Sequence, residues 1–160
     1  MSTAGYSGTP LAKKLGIKPG MTVLVVGFLG DYAELVDPLP ETVEIVTLGA
    51  SDLQRPIATL LSSRVSAREG TPTAPVDVLH LFTNSRDELF HILDEARGLI
   101  KQDGMIWVSW YKKAAKLPTE ITEDTIRETA LSLGLVDVKV CAVDEKWSGL
   151  KLVIRKENRV

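Results

Sequence analysis

The sequence has a single cysteine, Cys141, and only two histidines, His80 and His91. One thiol excludes an internal disulfide framework. Two histidines and one cysteine at these spacings do not make a structural metal site, so no metal is expected. Charge of either sign is not in excess: the formal net charge is −2, which provides no general attraction to nucleic acid or to an anionic membrane surface. Long apolar runs are missing too, and none approaches the ~20 residues needed to span a bilayer. The opening MSTAGYSGTPLAKK has no apolar core ahead of its lysines, so no secretory signal is expected. These absences lead to an expected cytoplasmic protein whose partners include neither nucleic acid nor membrane.

What is present is ordinary globular material, 44% apolar and 25% charged. A chain of 160 residues suits one domain and buries roughly two-thirds of the surface it exposes when unfolded. Residues 1–160 therefore read as one domain, with an N-terminal arm over 1–8 and a flexible loop over 67–75 (AREGTPTAP, with its Pro and Thr).

The most informative stretch is Thr22 to Tyr32, TVLVVGFLGDY. An apolar run stops at Gly27, and Gly30 follows three residues later. A first strand of a nucleotide-binding α/β fold ends in this way, with a loop whose backbone can approach a ligand. The dinucleotide fingerprint G-x-G-x-x-G is not met, because the positions read Gly-Phe-Leu-Gly-Asp-Tyr.

The remaining elements follow from caps and periodicity. Thr9, Pro10 and Gly16 bracket a two-turn helix that turns Leu11 and Leu15 toward the core. Asp31 caps a very short helix that Pro38 and Pro40 stop. Strands are expected over Val43–Leu48 and Val76–Phe82, with a helix within Ser51–Arg64 between them. Ser85-Arg86-Asp87-Glu88 is a capping box, and Leu89, Ile92, Leu93, Ala96, Leu99 and Ile100 follow at helical spacing. Asp103-Gly104 is expected to turn the chain into a strand over Met105–Trp110. Thr122 caps a last helix that Gly134 ends. Strands over Val136–Val143 and Leu150–Arg155, joined by Asp144–Gly149, form an antiparallel hairpin. The expected architecture is an α/β three-layer Rossmann-like sandwich, four parallel strands plus that hairpin, in the order 2-1-3-4-6-5.

In such a sheet ligands bind beyond the carboxyl ends of the strands. The candidate cleft residues are Gly27, Phe28, Gly30, Asp31, Thr83, Asn84, Ser109 and Trp110. The plainer account is that the two glycines permit a tight turn and that Lys112, Lys113 and Lys116 are solvated. His80, inside an apolar strand, reads as a satisfied core residue, and His91 as a solvated one. Ser109 is not in a G-x-S-x-G nucleophile elbow. Cys141, on one strand face with Asp137 and Lys139, has no candidate base in its motif and reads as structural. Trp147, beside Lys146 and Ser148, either folds back on the sheet, the leading reading, or with Tyr6 marks a contact surface, for which a homodimer is the cheapest assembly.

Two resemblances follow from these residues. The strand ending in Gly27, the segment Leu99-Ile100-Lys101-Gln102-Asp103-Gly104-Met105-Ile106-Trp107-Val108-Ser109 and the closing hairpin together resemble class I S-adenosylmethionine-dependent methyltransferases. More closely, the opening Tyr6-Ser7-Gly8-Thr9-Pro10-Leu11-Ala12-Lys13-Lys14-Leu15-Gly16-Ile17-Lys18-Pro19-Gly20 and the ending Trp147-Ser148-Gly149-Leu150-Lys151-Leu152 resemble a bacterial family of unknown function. The methyltransferase likeness implies an S-adenosylmethionine (SAM) cleft, yet its glycine loop, roughly G-x-G-x-G, is interrupted at Leu29 and Asp31. The acidic residue that family places after its second strand is replaced by Thr47-Leu48-Gly49, and Thr83-Asn84-Ser85 is not N-P-P-[YF]. Two readings stay open. The first is a non-catalytic binding or interaction module with a degenerate cleft and no cofactor, taking an unknown small molecule or protein. The alternative is a SAM-dependent methyltransferase or other adenosyl-ligand enzyme.

Overall fold

The structure is a computed structural model and describes residues 11–28, 30–48 and 76–158. The expected arm, the Thr9 cap, the helix within Ser51–Arg64, the loop over 67–75 and the positions of Tyr6, Leu29 and Gly49 lie outside the described residues. The described strands are β1 (Thr22–Val26), β2 (Glu44–Leu48), β3 (Val76–Phe82), β4 (Ile100–Tyr111), β5 (Leu135–Ala142) and β6 (Trp147–Ile154). The helices are α1 (Leu11–Leu15), α2 (Tyr32–Leu35), α3 (Arg86–Ala96) and α4 (Glu123–Ser132).

One six-stranded sheet runs β2-β1-β3-β4-β6-β5. The first four strands are parallel to one another, and β6 is antiparallel to both β4 and β5. This is the predicted order. β6 enters between β4 and β5 because Leu150, Leu152 and Ile154 need cover on both flanks, and all three are buried.

Two apolar layers hold the sheet. On one face α3 and α4 pack Leu89, Ile92, Leu93, Ile126 and Ala130 against Leu24, Leu79, Leu81, Ile106 and Val108. On the other, α1 and α2 bring Ala12, Leu15 and Tyr32 onto Val23, Val25, Val78, Phe82 and Trp107. Each fully buried Val, Leu, Ile or Phe side chain among them contributes ~1.5–3 kcal/mol of transfer free energy. The buried Trp107 indole donates to the Leu15 carbonyl at 2.9 Å, tying α1 to β4. At the amino ends of the parallel strands Asp77 accepts from the Thr22 amide and from the Lys101 ammonium, both at 2.9 Å, so one carboxylate binds β1, β3 and β4 together.

Three local expectations are corrected. Asp103-Gly104 is not a turn before the fourth strand but an irregularity within it. Val76 pairs with Ile100 and Val78 with Met105, so the extra residues of β4 bulge between them. Gly104 is required there, since a Cβ would lie 2.9 Å from the Asp77 carbonyl oxygen. The final hairpin turns earlier than Asp144–Gly149: β6 begins at Trp147, paired directly with Tyr111. A bulge at Val138 also separates Asp137 from Lys139 and Cys141. Asp137 pairs with Leu152 and meets Arg127 on the α4 face, whereas Lys139 and Cys141 pair with Lys151 and Gly149.

Gly27 carries the tightest backbone approach in the sheet. Its φ is +86° and an added Cβ would stand 2.5 Å from the Phe82 carbonyl oxygen. Gly27→Ala therefore combines left-handed strain with a clash against backbone that cannot move aside, and is expected to lose at least ~1–3 kcal/mol of unfolding free energy. Gly98→Ala, whose Cβ meets its nearest neighbour at 3.7 Å, is the control and should stay within about 0.5 kcal/mol. Urea denaturation of the two variants checks the contrast.

Candidate functional site

His80 organises the carboxyl end of the sheet from below. Its ring is wholly buried, with Nδ1 2.8 Å from the Tyr32 hydroxyl of α2 and Nε2 2.8 Å from the Ser109 hydroxyl of β4. A neutral imidazole donates through one nitrogen and accepts through the other, so both hydroxyls are satisfied whichever tautomer is present. Burial lowers the His80 pKa from 6.5 to about 3 and raises that of Tyr32, which keeps the chain of three groups uncharged. His80 is thus the satisfied core residue its sequence context implies, and Ser109 is its partner rather than a ligand-facing hydroxyl.

Two residues on, along the same strand face, Phe82 stacks on His80 with ring centroids 4.2 Å apart. Phe28 then lies on Phe82 at 4.6 Å, and Trp147 meets Phe82 edge-to-face at 5.1 Å and 89°. Tyr111 continues the row at 4.6 Å from Trp147. Gly30 makes room for this arrangement, because a Cβ there would come within 3.1 Å of the Phe28 ring.

Between these rings and the strand ends opens a cleft of about 430 Å³, within the range of small-molecule pockets. Gly27, Phe28, Gly30, Thr83 and Asn84 line it, as the sequence suggests. Asp31 does not: its carboxylate caps α2 by accepting from the Glu34 amide. Ser109 faces His80, and Trp110 is buried in the layer beneath α3 and α4, on the opposite face of the sheet. The aromatic residues that line the cleft beside β4 and β6 are Tyr111 and Trp147. Trp147 is half-buried and folded back onto its own sheet.

Glu88 and Asp144 are the acidic lining residues, and with Phe82, Tyr111, Lys146 and Trp147 they are absent from the candidates that sequence reasoning named. The capping box at Ser85 is half formed. Ser85 Oγ accepts from the Glu88 amide at 3.3 Å, but the Glu88 carboxylate turns away and accepts from the Thr83 hydroxyl. Asp144 Oδ1 accepts from the amides of Lys146 and Trp147 at 2.8 and 2.9 Å, which holds the hairpin turn over the cleft. The Lys112 amide donates to the Lys146 carbonyl at 2.8 Å, and Asn84 Oδ1 accepts from the Tyr111 amide at 2.9 Å. The exits of β3, β4 and the β5–β6 turn are therefore stitched into one rim.

Elsewhere, Lys113 and Lys116 are exposed around a single 3-10 turn, and His91 is exposed on α3. Cys141 is a half-buried free thiol whose pKa burial raises, against the opposing pull of Lys14 and Lys139. Among the described residues no cluster of three His, Cys, Asp or Glu could hold a metal, and no helix is long and apolar enough to cross a membrane.

Comparison with known proteins fits this geometry. The description "protein of unknown function (DUF3052)" attaches to a family matched by residues 49–156, and the chain belongs to that family. Its fold is that of SAM-dependent methyltransferases. The chain superposes on one from Aquifex aeolicus with a TM-score of 0.60 at 18% identity, covering 90% of this chain and 88% of that one. It also resembles the magnesium protoporphyrin IX methyltransferase of Synechocystis, solved with bound SAM (TM-score 0.55, 14% identity, 90% and 74% covered). A third likeness is to Aeropyrum pernix fibrillarin with natively bound SAM (TM-score 0.57, 16% identity, 89% and 73% covered). Identities this low establish the fold alone. No curated protein matches the sequence.

The buried His80 has a measurable consequence. Its pKa is 6.5 when unfolded and about 3 when folded, so between those values the unfolded chain binds the extra proton. Stability is full above pH 6.5 and falls as pH drops, with a slope approaching ~1.4 kcal/mol per pH unit. Denaturation midpoints measured from pH 7 down to 5, ahead of most carboxylate titration, should show this fall in the native protein and lose it in His80→Gln.

Proposed function

We propose that this protein is a ligand-binding module built on the methyltransferase fold, holding a small organic molecule against the aromatic wall of its cleft without transferring a methyl group. The observation that carries this reading is the row Phe28–Phe82–Trp147–Tyr111 along a cleft of about 430 Å³ at the carboxyl ends of the parallel strands. A pocket walled by rings, with a few converging polar groups, is the usual form of a small-molecule site.

The described residues, with the sequence at the end of β2, do not supply the anchors of an adenosyl cofactor. The end of β2 reads Thr47-Leu48-Gly49, with no carboxylate to accept both ribose hydroxyls, a charge-assisted contact that contributes roughly 1.5–3 kcal/mol. Among the described residues the carboxylates lining the cleft are those of Glu88 on α3 and Asp144 in the β5–β6 turn, and both hold protein donors. Gly27 answers to the Phe82 carbonyl that its missing Cβ would strike. Its bare backbone is thus explained by packing and not by a ligand.

Methyl transfer from SAM is the second reading, favoured by the fold shared with SAM-bound structures and by the position of the cleft over the strand ends. Fold and function separate often enough that the site residues decide. Titration calorimetry with SAM and S-adenosylhomocysteine is expected to give no dissociation constant below the tens of micromolar range, and tighter binding would establish the second reading. A screen of small organic fragments by NMR should perturb the Trp147 indole together with the Thr83 and Asn84 amides. Fragments that leave these signals unmoved would count against a ligand site.

A further inference from the structure

We propose that the outer edge of β5 docks an extended acidic segment of a partner protein, in which carboxylates alternate with apolar side chains. This surface lies outside the cleft lining and is independent of the ligand reading. β5 ends the sheet, and no described strand pairs with its outer edge. Val138, Lys139 and Val140 are exposed there in succession, the two valines at 52% and 46%. An edge strand presents amides and carbonyls with which another chain can pair. The bulge at Val138 interrupts the ladder, which leaves residues 139–142 as the regular stretch for that pairing.

The charged groups beside this edge agree in sign. Lys139 lies directly across from Lys151, which pairs in turn with Trp107, so both lysines are on the sheet face that carries α1. Burial, then Lys139 and the exposed Lys18 beyond the end of α1, hold the Lys151 ammonium below its ordinary pKa. Among the described residues none of these three ammonium groups has a carboxylate partner. Like charges directly opposite each other on a strand pair are destabilising. Lysines and bulges keep a sheet edge from pairing at random, and Lys139 with the Val138 bulge suffices for that. Lys151, on an inner strand, and Lys18 do not serve that purpose. Their charges are left for a partner to match.

The alternation of the partner follows from the two faces of β5. Positions of an added strand on the Lys139 side meet the lysines and call for carboxylates. Val140 pairs with Leu150, which belongs to the opposite apolar layer, so the intervening positions meet an apolar surface. A nucleic acid fits less well. None of these residues is an arginine, whose fork phosphates favour, and a long polyanion would run beyond the lysines onto a chain of net charge −2.

The test is an NMR titration of the isotope-labelled full chain with a short blocked peptide alternating valine and glutamate. The comparison probes are the valine–lysine counterpart, a peptide of the same composition with its glutamates in one block, and a single-stranded oligothymidylate. The alternating acidic peptide is expected to shift the amides of residues 139–142, more weakly as salt is raised, and the valine–lysine peptide to leave them unmoved. Lys139→Gln and Lys151→Gln should each weaken the acidic peptide about two- to fivefold, the range of exposed ion pairs. Lys139→Glu should lose the peptide and at the same time raise the urea midpoint, because opposite charges then face each other across β5 and β6. A dispersed spectrum for each variant certifies that it is folded. Equal binding by the block peptide or the oligothymidylate would show bare charge attraction and overturn the added strand. Unmoved amides at residues 139–142 would overturn the docking edge itself. A midpoint that does not rise in Lys139→Glu would show that the facing lysines cost the fold nothing, and would remove the reason for a partner.

Discussion

The hydrogen-bonded chain Tyr32–His80–Ser109 is the constraint on which the upper half of this molecule depends. It joins α2, β3 and β4 through one imidazole, with both contacts at 2.8 Å and no solvent access to the ring. A buried histidine lacking either partner would leave a ring nitrogen unsatisfied, at a cost of ~1–3 kcal/mol. With both partners the ring cannot rotate, and its plane becomes a fixed surface. Phe82 stacks on that plane, Phe28 and Trp147 settle on Phe82, and Tyr111 follows Trp147. The orientation of the cleft wall is thus inherited from a polar network buried beneath it.

The rim is held by a second set of contacts that owes little to side-chain packing. Asn84 ties the exit of β3 to β4, and Asp144 folds the β5–β6 turn. The Lys112 amide then closes β4 against that turn through the Lys146 carbonyl. Each bond joins backbone to backbone or side chain to backbone, so the geometry survives variation in many side chains. What varies the chemistry is the small number of groups pointing inward, above all Glu88, whose carboxylate left its capping role to meet Thr83.

The strand order was legible in the sequence because the signals were local and strong. Runs such as TVLVV and VDVLHLF end at turn residues, and a hairpin with buried Leu150 and Leu152 has one comfortable place in the sheet. The site was legible only in part. Gly27, Phe28, Gly30, Thr83 and Asn84 follow strands whose ends were readable, and they do meet. Ser109 and Trp110 could not be placed by the same reasoning, because strand alternation decides which of two successive residues faces which layer. One residue further, Tyr111, reaches the cleft. Glu88 read as half of a capping box, and only the competing Thr83 hydroxyl, brought near by the fold, turned it elsewhere. The bulge of β4 leaves Asp103-Gly104 in the sequence, a pair that reads equally as a turn, and the bulge of β5 at Val138 leaves no mark.

A glycine at the end of the first strand is the feature that most suggests a nucleotide site, and here it has a sufficient cause of another kind. The Phe82 carbonyl passes so close to Gly27 that any side chain would collide with it, whatever the cleft contains. Glycine can be demanded by the approach of a ligand or by the approach of a neighbouring strand, and the two demands leave the same letter in the sequence. What separates them is the company the glycine keeps. A ligand-shaped loop brings a carboxylate for the sugar and open backbone for the rest. This one brings a phenylalanine ring folded onto Phe82, beside a tryptophan whose amide is held by Asp144 in its own hairpin turn. The same fold can therefore keep a cleft at the strand ends while the groups that line it differ.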